Sequence, residues 1–216
     1  DVDLAVYDPK NPEERLIRVT ETNLGDLCAD AYRVMSGADV AIVNGGGIRK
    51  QIEAGDITLD DIYSVHPFGN TMCVIRVTGQ QVLDALEWGA RAVPSENGGF
   101  LQVSGLTYEI HTGVASSAEK DENGMFTRVS GEYRVKNVMV GGQPLELDKT
   151  YTLASHNYML LGHGDGYTMF DGCEVLGEDM MVDNQVLITY ITTTLGGVVG
   201  EQYANPYGDG RIVAVE

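Results

Sequence analysis

The stretch VAIVNGGGIR, residues 40–49, carries the pattern from which the fold prediction starts. Its apolar run predicts a short buried strand that ends abruptly at Asn44 and three glycines. Because glycines lack a Cβ atom, we expect the backbone N–H groups of this loop to face an anion. Arg49 adds a guanidinium fork suited to phosphate or carboxylate. The loop matches neither the Walker pattern nor the dinucleotide fingerprint, so a tight turn with a surface arginine remains the alternative.

A helix is predicted immediately before this strand. Asn23 is a good N-cap, and Gly37 is a typical C-terminal stop. Between them, apolar residues recur at the spacing of one helix face: Leu24, Leu27, Cys28, Ala31, Val34 and Met35. The sequence therefore predicts a helix followed by a buried strand, with the glycine loop directly after the strand.

Helix and strand signals also mix after the loop. Thr58 and Thr78 each begin a helix with a capping pattern, and a last helix runs from Asp183 to the Gly196-Gly197 pair. Strands are predicted over 72–77, 103–110, 133–140 and 151–154, with a hairpin tip in 113–124. Without a strict βαβ repeat, this order predicts an α+β fold with a mixed β-sheet and flanking helices. No linker stands out, so residues 1–216 are expected to form a single domain, with 1–14 as a polar lead-in.

Composition excludes several classes of function. The formal net charge of −18 argues against nucleic acid or anionic membranes as partners. No apolar run approaches the roughly 20 residues of a membrane-spanning helix. The cysteines Cys28, Cys73 and Cys173 are too scattered for a zinc site. The start at Asp1 suggests a processed chain or an excised piece of a longer one.

Two further segments are candidates for ligand binding. Phe68 stands in a turn between Pro67 and Gly69, where its ring is expected either to stack on a flat ligand or to lie under its own loop. Farther on, Tyr158 precedes a glycine-rich loop, 162–167, that contains His163 and Asp165. Asp165 is suited to a sugar hydroxyl or an arginine. No histidine pair, metal-ligand spacing or nucleophile motif accompanies these segments, so the chain offers binding groups without a catalytic centre.

Together with the glycine loop, these segments resemble the C-terminal domain of the 5′-nucleotidase family. The resemblance covers about residues 15–212 and is carried by short stretches in the family's order. These are TNLGDL (22–27), NGGGIR (44–49), GDIT (55–58), PFGN (67–70), QVSG (102–105) and GDGY (164–167). The resemblance implies a two-domain enzyme whose N-terminal metallophosphatase domain holds two divalent metals and the catalytic histidine. None of that domain's motifs occurs in this sequence.

The resemblance implies how the C-terminal domain holds a nucleotide. Phe68 and Tyr158 correspond to the two aromatic residues that sandwich the base, although Tyr158 stands where relatives carry phenylalanine. Asn44 corresponds to the asparagine that hydrogen-bonds the base. Asp165 corresponds to the acid that takes the ribose hydroxyls.

The resemblance also implies how the phosphate is reached. Arg18 and Arg49 correspond to the arginines that contact phosphate or ribose, and Gly46 and Gly47 belong to the loop between these contacts. A further arginine of the family has no match, because Glu14 occupies the expected position.

The resemblance therefore predicts the substrate-recognition domain of a metal-dependent nucleotide phosphohydrolase. No catalytic residue, metal ligand or cofactor is expected in this chain, and the chain alone is expected to be inactive. Its partners would be a nucleotide or nucleoside and an N-terminal metallophosphatase domain, in an extracellular, cell-surface or periplasmic protein. Nucleoside monophosphates, UDP-sugars and 2′,3′-cyclic nucleotides all remain candidate substrates. The alternative is a non-catalytic nucleotide- or partner-binding module that has kept the fold.

Overall fold

The architecture follows from five α-helices and eleven strands within residues 2–216, the part of the chain described by a computed structural model. The helices are α1 (Asn23–Ser36), α2 (Leu59–Val65), α3 (Gly79–Ala90), α4 (Asn157–Leu160) and α5 (Asp183–Thr189). The strands are β1 (Val40–Asn44), β2 (Met72–Thr78), β3 (Leu101–Ser104), β4 (Leu106–His111), β5 (Ala118–Lys120), β6 (Phe126–Val129), β7 (Val135–Val140), β8 (Gln143–Pro144), β9 (Thr150–His156), β10 (Glu174–Gly177) and β11 (Ile212–Val215). Among the described residues, no helix has the length and apolar content needed to cross a membrane.

The central element is a five-stranded mixed sheet in the order β10-β2-β9-β1-β3. Strand β1 runs parallel to β9, with Ala41 opposite Ala154, and antiparallel to β3. Because β1 is buried along its whole length, it lies at the centre of the packing, as its apolar run predicts. The prediction of an α+β fold with a mixed sheet and flanking helices is confirmed.

A second sheet, in the order β11-β4-β7-β8, corrects one strand prediction. Residues 103–110 were expected to form one strand, but Gly105 divides them between β3 in the central sheet and β4 in the second sheet. Gly105 has φ +79°, and a Cβ atom there would collide with the carbonyl oxygen of Asp39. A glycine is therefore required where the chain passes from one sheet to the other.

The two faces of the central sheet are covered by different hydrophobic clusters. On one face α3 packs with the second sheet, around Trp88, Phe100 and Tyr167. On the other face α1 packs with α5, around Leu24 and Tyr32. Each face of the sheet is therefore apolar, and polar groups collect where its strands end.

The helix ends differ from the sequence prediction at one N-cap and in the last helix, where α5 ends at Thr189 and the chain continues as a π-helical segment, Tyr190–Thr194, toward Gly196. Thr58 and Thr78 form the predicted capping boxes, and Gly37 ends α1 in the left-handed conformation. The N-cap of α1 is Thr22 and not Asn23, because the Thr22 hydroxyl accepts from the N–H of Gly25. The side chain of Asn23 instead accepts from the backbone of the N-terminal segment and donates to the backbone at residue 203.

Candidate functional site

The glycine loop lies at the end of β1, where Gly45–Gly47 form a 3₁₀ turn. The N–H of Gly45 donates to the carbonyl of Phe100 at 2.7 Å, and the N–H of Gly46 donates to the carbonyl of Gly98 at 2.7 Å. The expectation that the loop amides face an anion is therefore wrong for these two glycines. Their donors are already used to join the loop to the segment before β3.

The glycines are needed because the loop is packed from several sides. A Cβ atom on Gly46 would lie 2.9 Å from the carbonyl oxygen of Gly98, and one on Gly45 would collide with the carbonyl oxygen of Ile17. A Cβ atom on Gly47 would lie 2.6 Å from Oδ1 of Asn44. The absence of side chains thus allows two other segments, at Ile17 and at Gly98, to approach the end of β1 closely.

A chain of hydrogen bonds joins Asn44, at the end of β1, to His156, Asp165 and Tyr158. Its Nδ2 donates to Oδ2 of Asp165 at 2.6 Å, and its Oδ1 lies 3.0 Å from Nε2 of His156. The hydroxyl of Tyr158 donates to Oδ1 of Asp165 at 3.2 Å and accepts from the N–H of that residue at 3.2 Å. Asn44, Tyr158 and Asp165, predicted separately from the sequence, are therefore in direct contact.

Asp165 is held in an unusual backbone conformation. Its φ of 54° lies in the left-handed region, which an aspartate adopts far less readily than glycine. The indole Nε1–H of Trp88 donates to its carbonyl oxygen at 2.9 Å. The ring of Tyr158 packs on Gly164, where a Cβ atom would collide with that ring. These contacts fix the direction of the Asp165 carboxylate.

Phe68 is the most exposed aromatic side chain of the site, at 59% of its possible surface. The expectation that it lies under its own loop is therefore wrong. The guanidinium of Arg49 lies 5.7 Å from the ring centroid and donates to the carbonyl of Gly46 at 3.0 Å. Phe68 is thus connected to the glycine loop while more than half of its surface remains open to solvent.

The loop of Phe68 is also tied to the segment of Tyr158. The N–H of Asn157 donates to the carbonyl of Thr71 at 2.8 Å, and the N–H of Thr71 donates to Oδ1 of Asn157 at 3.1 Å. Tyr158 is 44% exposed. The two partly exposed aromatic residues therefore stand on loops that are hydrogen-bonded to each other.

Arg18 and Arg49 lie near the contact of Asn44, Tyr158 and Asp165, which we call the junction. Arg18 ends a 3₁₀ turn, Leu16–Arg18, whose carbonyls contact the glycine loop and the segment at Asn97. Burial, and then the nearby charges of Arg15 and Arg49, hold the pKa of Arg18 below its usual range. An anion bound among these guanidinium groups would relieve their mutual repulsion.

Three residues of the site were missed by sequence reasoning. His156 is buried behind Asn44, Trp88 holds Asp165, and Arg91 stacks on Trp88 with its guanidinium 3.6 Å from a ring centroid. Burial lowers the pKa of His156 to about 4. Trp88 and Arg91 lie on and just after α3, the helix predicted to begin at Thr78, for which no ligand-binding role was expected. In the sequence, the Gly98-Gly99 pair was the available signal that other parts of the chain approach the backbone closely before β3.

One group of carboxylates among residues 2–216 has the spacing of a metal site: Glu21, Asp26 and Asp209. Glu21 accepts from the backbone N–H groups of residues 209, 210 and 212, and Asp26 and Asp209 pair with Arg211. Burial raises the pKa of Asp26 to about 9. Backbone donors therefore hold Glu21, and Arg211 balances the charge of the two aspartates, which fits a structural role better than a metal ion.

A cleft of about 750 Å³ lies apart from the junction, between α2 and α5. Its lining includes Leu4, Ile52, Ile191 and Val198, together with acidic side chains such as Glu53. None of the predicted site residues lines it. The candidate site is instead an open surface at the end of β1.

The chain resembles known proteins over most of its length. It matches the family model described as 5′-nucleotidase, C-terminal domain, over residues 4–172. It is 36% identical over 203 residues to the trifunctional nucleotide phosphoesterase protein YfkN of Bacillus subtilis, a match that covers 92% of this chain and 13% of that protein. It is 32% identical over 179 residues to the 5′-nucleotidase of Vibrio cholerae, which covers 83% of this chain and 28% of that enzyme.

The fold resembles that of a solved structure. The crystal structure of a 5′-nucleotidase precursor from Thermus thermophilus aligns with 99% of this chain at a TM-score of 0.79 and 32% identity, and the aligned part is 38% of that protein. The chain therefore spans well under half the length of each of these relatives. Since the family model covers more than half of the sequence, the chain belongs to the 5′-nucleotidase C-terminal domain family.

Proposed function

We propose that this chain is the substrate-recognition domain of a two-domain, metal-dependent nucleotide phosphohydrolase. The observation that carries the proposal is the junction of Asn44, Asp165 and Tyr158, beside an exposed phenylalanine and a group of arginines. An aromatic surface, a carboxylate and guanidinium groups match the base, the ribose and the phosphate of a nucleotide.

The base would stack between Phe68 and Tyr158. Both side chains are partly exposed, and their loops are hydrogen-bonded to each other. Stacking of a base on an aromatic side chain contributes about 1–3 kcal/mol and is tolerant of base identity, since every base has a π-face. Nucleoside monophosphates, UDP-sugars and 2′,3′-cyclic nucleotides would all present such a base.

The ribose and the phosphate would occupy the polar part of the site. Each carboxylate oxygen of Asp165 already accepts one hydrogen bond, from Asn44 or from Tyr158, and keeps acceptor capacity for a sugar hydroxyl. Arg18 and Arg49 would bind the phosphate with charge-assisted hydrogen bonds.

The chemical step would belong to an N-terminal metallophosphatase domain. A pair of divalent metals there would supply a nucleophilic hydroxide and stabilise the charge that develops on the phosphate. The residues of this chain would bind and orient the substrate. The full protein would act outside the cytoplasm, at the cell surface, in the periplasm or in the secreted fraction.

Calorimetry with AMP and adenosine on the 216-residue chain tests the proposal. We expect both to bind, AMP more tightly, with an advantage that decreases as salt is added, because the arginines are partly exposed. Asp165→Asn should weaken both, since asparagine tolerates the left-handed backbone but cannot supply the second carboxylate oxygen. Asp179→Asn is the matched control, because Asp179 is also left-handed, with φ 50°, and its contact with the Thr71 hydroxyl uses a single oxygen that asparagine retains. If neither AMP nor adenosine binds, the proposal is refuted.

Phosphate release distinguishes recognition from catalysis. With Mn²⁺, Co²⁺ or Zn²⁺ added, the chain should release no phosphate from AMP, and His163→Ala should leave that result unchanged. His163 contacts Asp171 and belongs to no group of metal ligands among residues 2–216. Turnover that disappears in the variant would contradict the division of roles. Lack of nucleotide binding, together with an upstream coding sequence without metal-site motifs, would favour the non-catalytic module.

A further inference from the structure

The side-chain amide of Asn44 has a single chemically consistent orientation. A carboxylate accepts hydrogen bonds and does not donate them, so the amide group that lies 2.6 Å from Asp165 must be Nδ2. The amide oxygen then faces Nε2 of His156 at 3.0 Å, and this ring nitrogen must carry the hydrogen. The Asp165 contact therefore also determines the tautomer of a buried histidine.

The surroundings of His156 agree with a neutral ring. Its side chain is 2% exposed, and Nδ1 has no hydrogen-bond partner among the described residues. Burial lowers its pKa to about 4, so the ring carries one hydrogen at neutral pH. With that hydrogen on Nε2, His156 donates to Asn44, and Nδ1 is an unprotonated nitrogen enclosed by the core.

The oxygen of the Asn44 amide is closed to a ligand on its other side. The backbone of Gly47 packs against it, since a Cβ atom on Gly47 would lie 2.6 Å from Oδ1 and 3.7 Å from Nε2 of His156. Asn44 itself is 4% exposed. The remaining group of the amide is the second hydrogen on Nδ2, because the first is bonded to Asp165.

We propose that His156 is a positioning residue for nucleotide recognition: its Nε2–H fixes the Asn44 amide so that Asn44 only donates, to Asp165 and to the ligand. The proposal rests on the function proposed above and adds a rule of specificity. The ligand atom that meets Asn44 must be an acceptor, such as a ring nitrogen, a carbonyl or a ribose oxygen. A ligand with a donor there is rejected, because Asn44 has no accessible acceptor to pair with it.

The tautomer gives a direct test. Long-range ¹H–¹⁵N NMR of the histidine side chains should show His156 as the neutral Nε2–H form at pH 6.5. The Asn44 amide should show one proton shifted strongly downfield by the short bond to Asp165. A hydrogen on Nδ1 of His156 would overturn the proposal, whether or not the chain binds a nucleoside.

Two buried histidines provide matched variants. His156→Phe removes the donor and keeps a ring, and His66→Phe makes the same change at a neighbouring histidine that is 3% exposed and whose Nε2 has no partner among residues 2–216. We expect the Kd for adenosine to rise about threefold to tenfold in the first, the range for one net hydrogen bond, and to stay unchanged in the second. His156→Gln should recover part of the affinity through its amide N–H. Wild-type affinity in His156→Phe, or equal losses in both phenylalanine variants, would contradict the proposal.

The binding and NMR measurements distinguish failure of the proposed function from failure of the positioning role of His156. If the unmodified chain binds no nucleoside, the proposed function fails, while the downfield Asn44 proton still reports on positioning. That proton should lose its shift in His156→Phe and keep it in His66→Phe. If His156→Phe does not fold, the same comparison is made with His156→Leu, which also lacks a donor and in which the shift should likewise be lost. A shift that is unchanged in His156→Phe would refute the positioning role.

Discussion

Replacing Phe68 with alanine tests whether this side chain binds a ligand or stabilises the fold by packing. Full burial of such a side chain stabilises a protein by about 1.5–3 kcal/mol, and roughly two-fifths of Phe68 is buried, since 59% is exposed. The variant should therefore lose only about 1 kcal/mol of unfolding free energy. If the exposed ring face holds the base, the same change should weaken nucleoside binding by about 1–3 kcal/mol, or roughly 5- to 150-fold in Kd.

Urea unfolding and calorimetry with adenosine measure the two effects on one sample. Tyr63→Ala is the control, because Tyr63 is an aromatic residue of similar exposure, 50%, on α2. It should show a comparable small loss of stability and no loss of affinity. A Phe68→Ala chain that is destabilised by several kcal/mol, or that binds adenosine as tightly as before, would refute the view of Phe68 as a ligand surface.

Other features of the structure give three further expectations. Burial lowers the pKa of His66 to about 3, so the unfolded chain binds the extra proton as pH falls below about 6.5, and stability falls with it. Between pH 7 and pH 5, His66→Phe should lose about 2 kcal/mol less unfolding free energy than the unmodified chain, and parallel urea profiles would contradict this. Gly46→Ala should destabilise the chain by more than about 1 kcal/mol because its Cβ atom meets a backbone carbonyl, whereas Gly98→Ala, with its nearest atom at 3.7 Å, should stay within about 0.5 kcal/mol. Trp88, the chain's single tryptophan, donates to the Asp165 carbonyl, so its fluorescence should change on titration with adenosine. Unchanged fluorescence where calorimetry detects binding would argue against a connection between Trp88 and the ligand site.

Local patterns in the sequence predicted local structure well. The capping boxes at Thr58 and Thr78 and the stop at Gly37 depend on residues within a few positions of one another, and all three formed as expected. The strand of residues 103–110 was predicted incorrectly because its alternation continues through Gly105. The turn there is imposed by the close approach of Asp39, which no local pattern contains.

The contacts between distant residues of the site were beyond sequence reasoning. His156 and Asn44 are 112 positions apart, and His156 shows no pairing pattern with another histidine. They meet because β9 runs parallel to β1 with Ala154 opposite Ala41, so that both strands end at the same edge of the sheet. A parallel pairing across so long a connection depends on the whole fold. The resemblance implied roles for Asn44 and Asp165, but none for His156, which lies between the core and Asn44.

The last two strands of the chain protect the sheets they complete. β10 covers the outer edge of β2, and β11 covers the edge of β4, where the carboxylate of Glu21 also receives the N–H of Ile212. A chain shortened by residues 173–216 would expose the edges of β2 and β4 while leaving every predicted site residue in the sequence. Unpaired strand edges recruit other chains. Such a shortened chain should therefore aggregate before its ligand affinity can be measured. The segment carries none of the predicted site residues, yet it holds the loop of Phe68, because the N–H of Asn70 donates to Oδ2 of Asp183 and the hydroxyl of Thr71 donates to Oδ1 of Asp179.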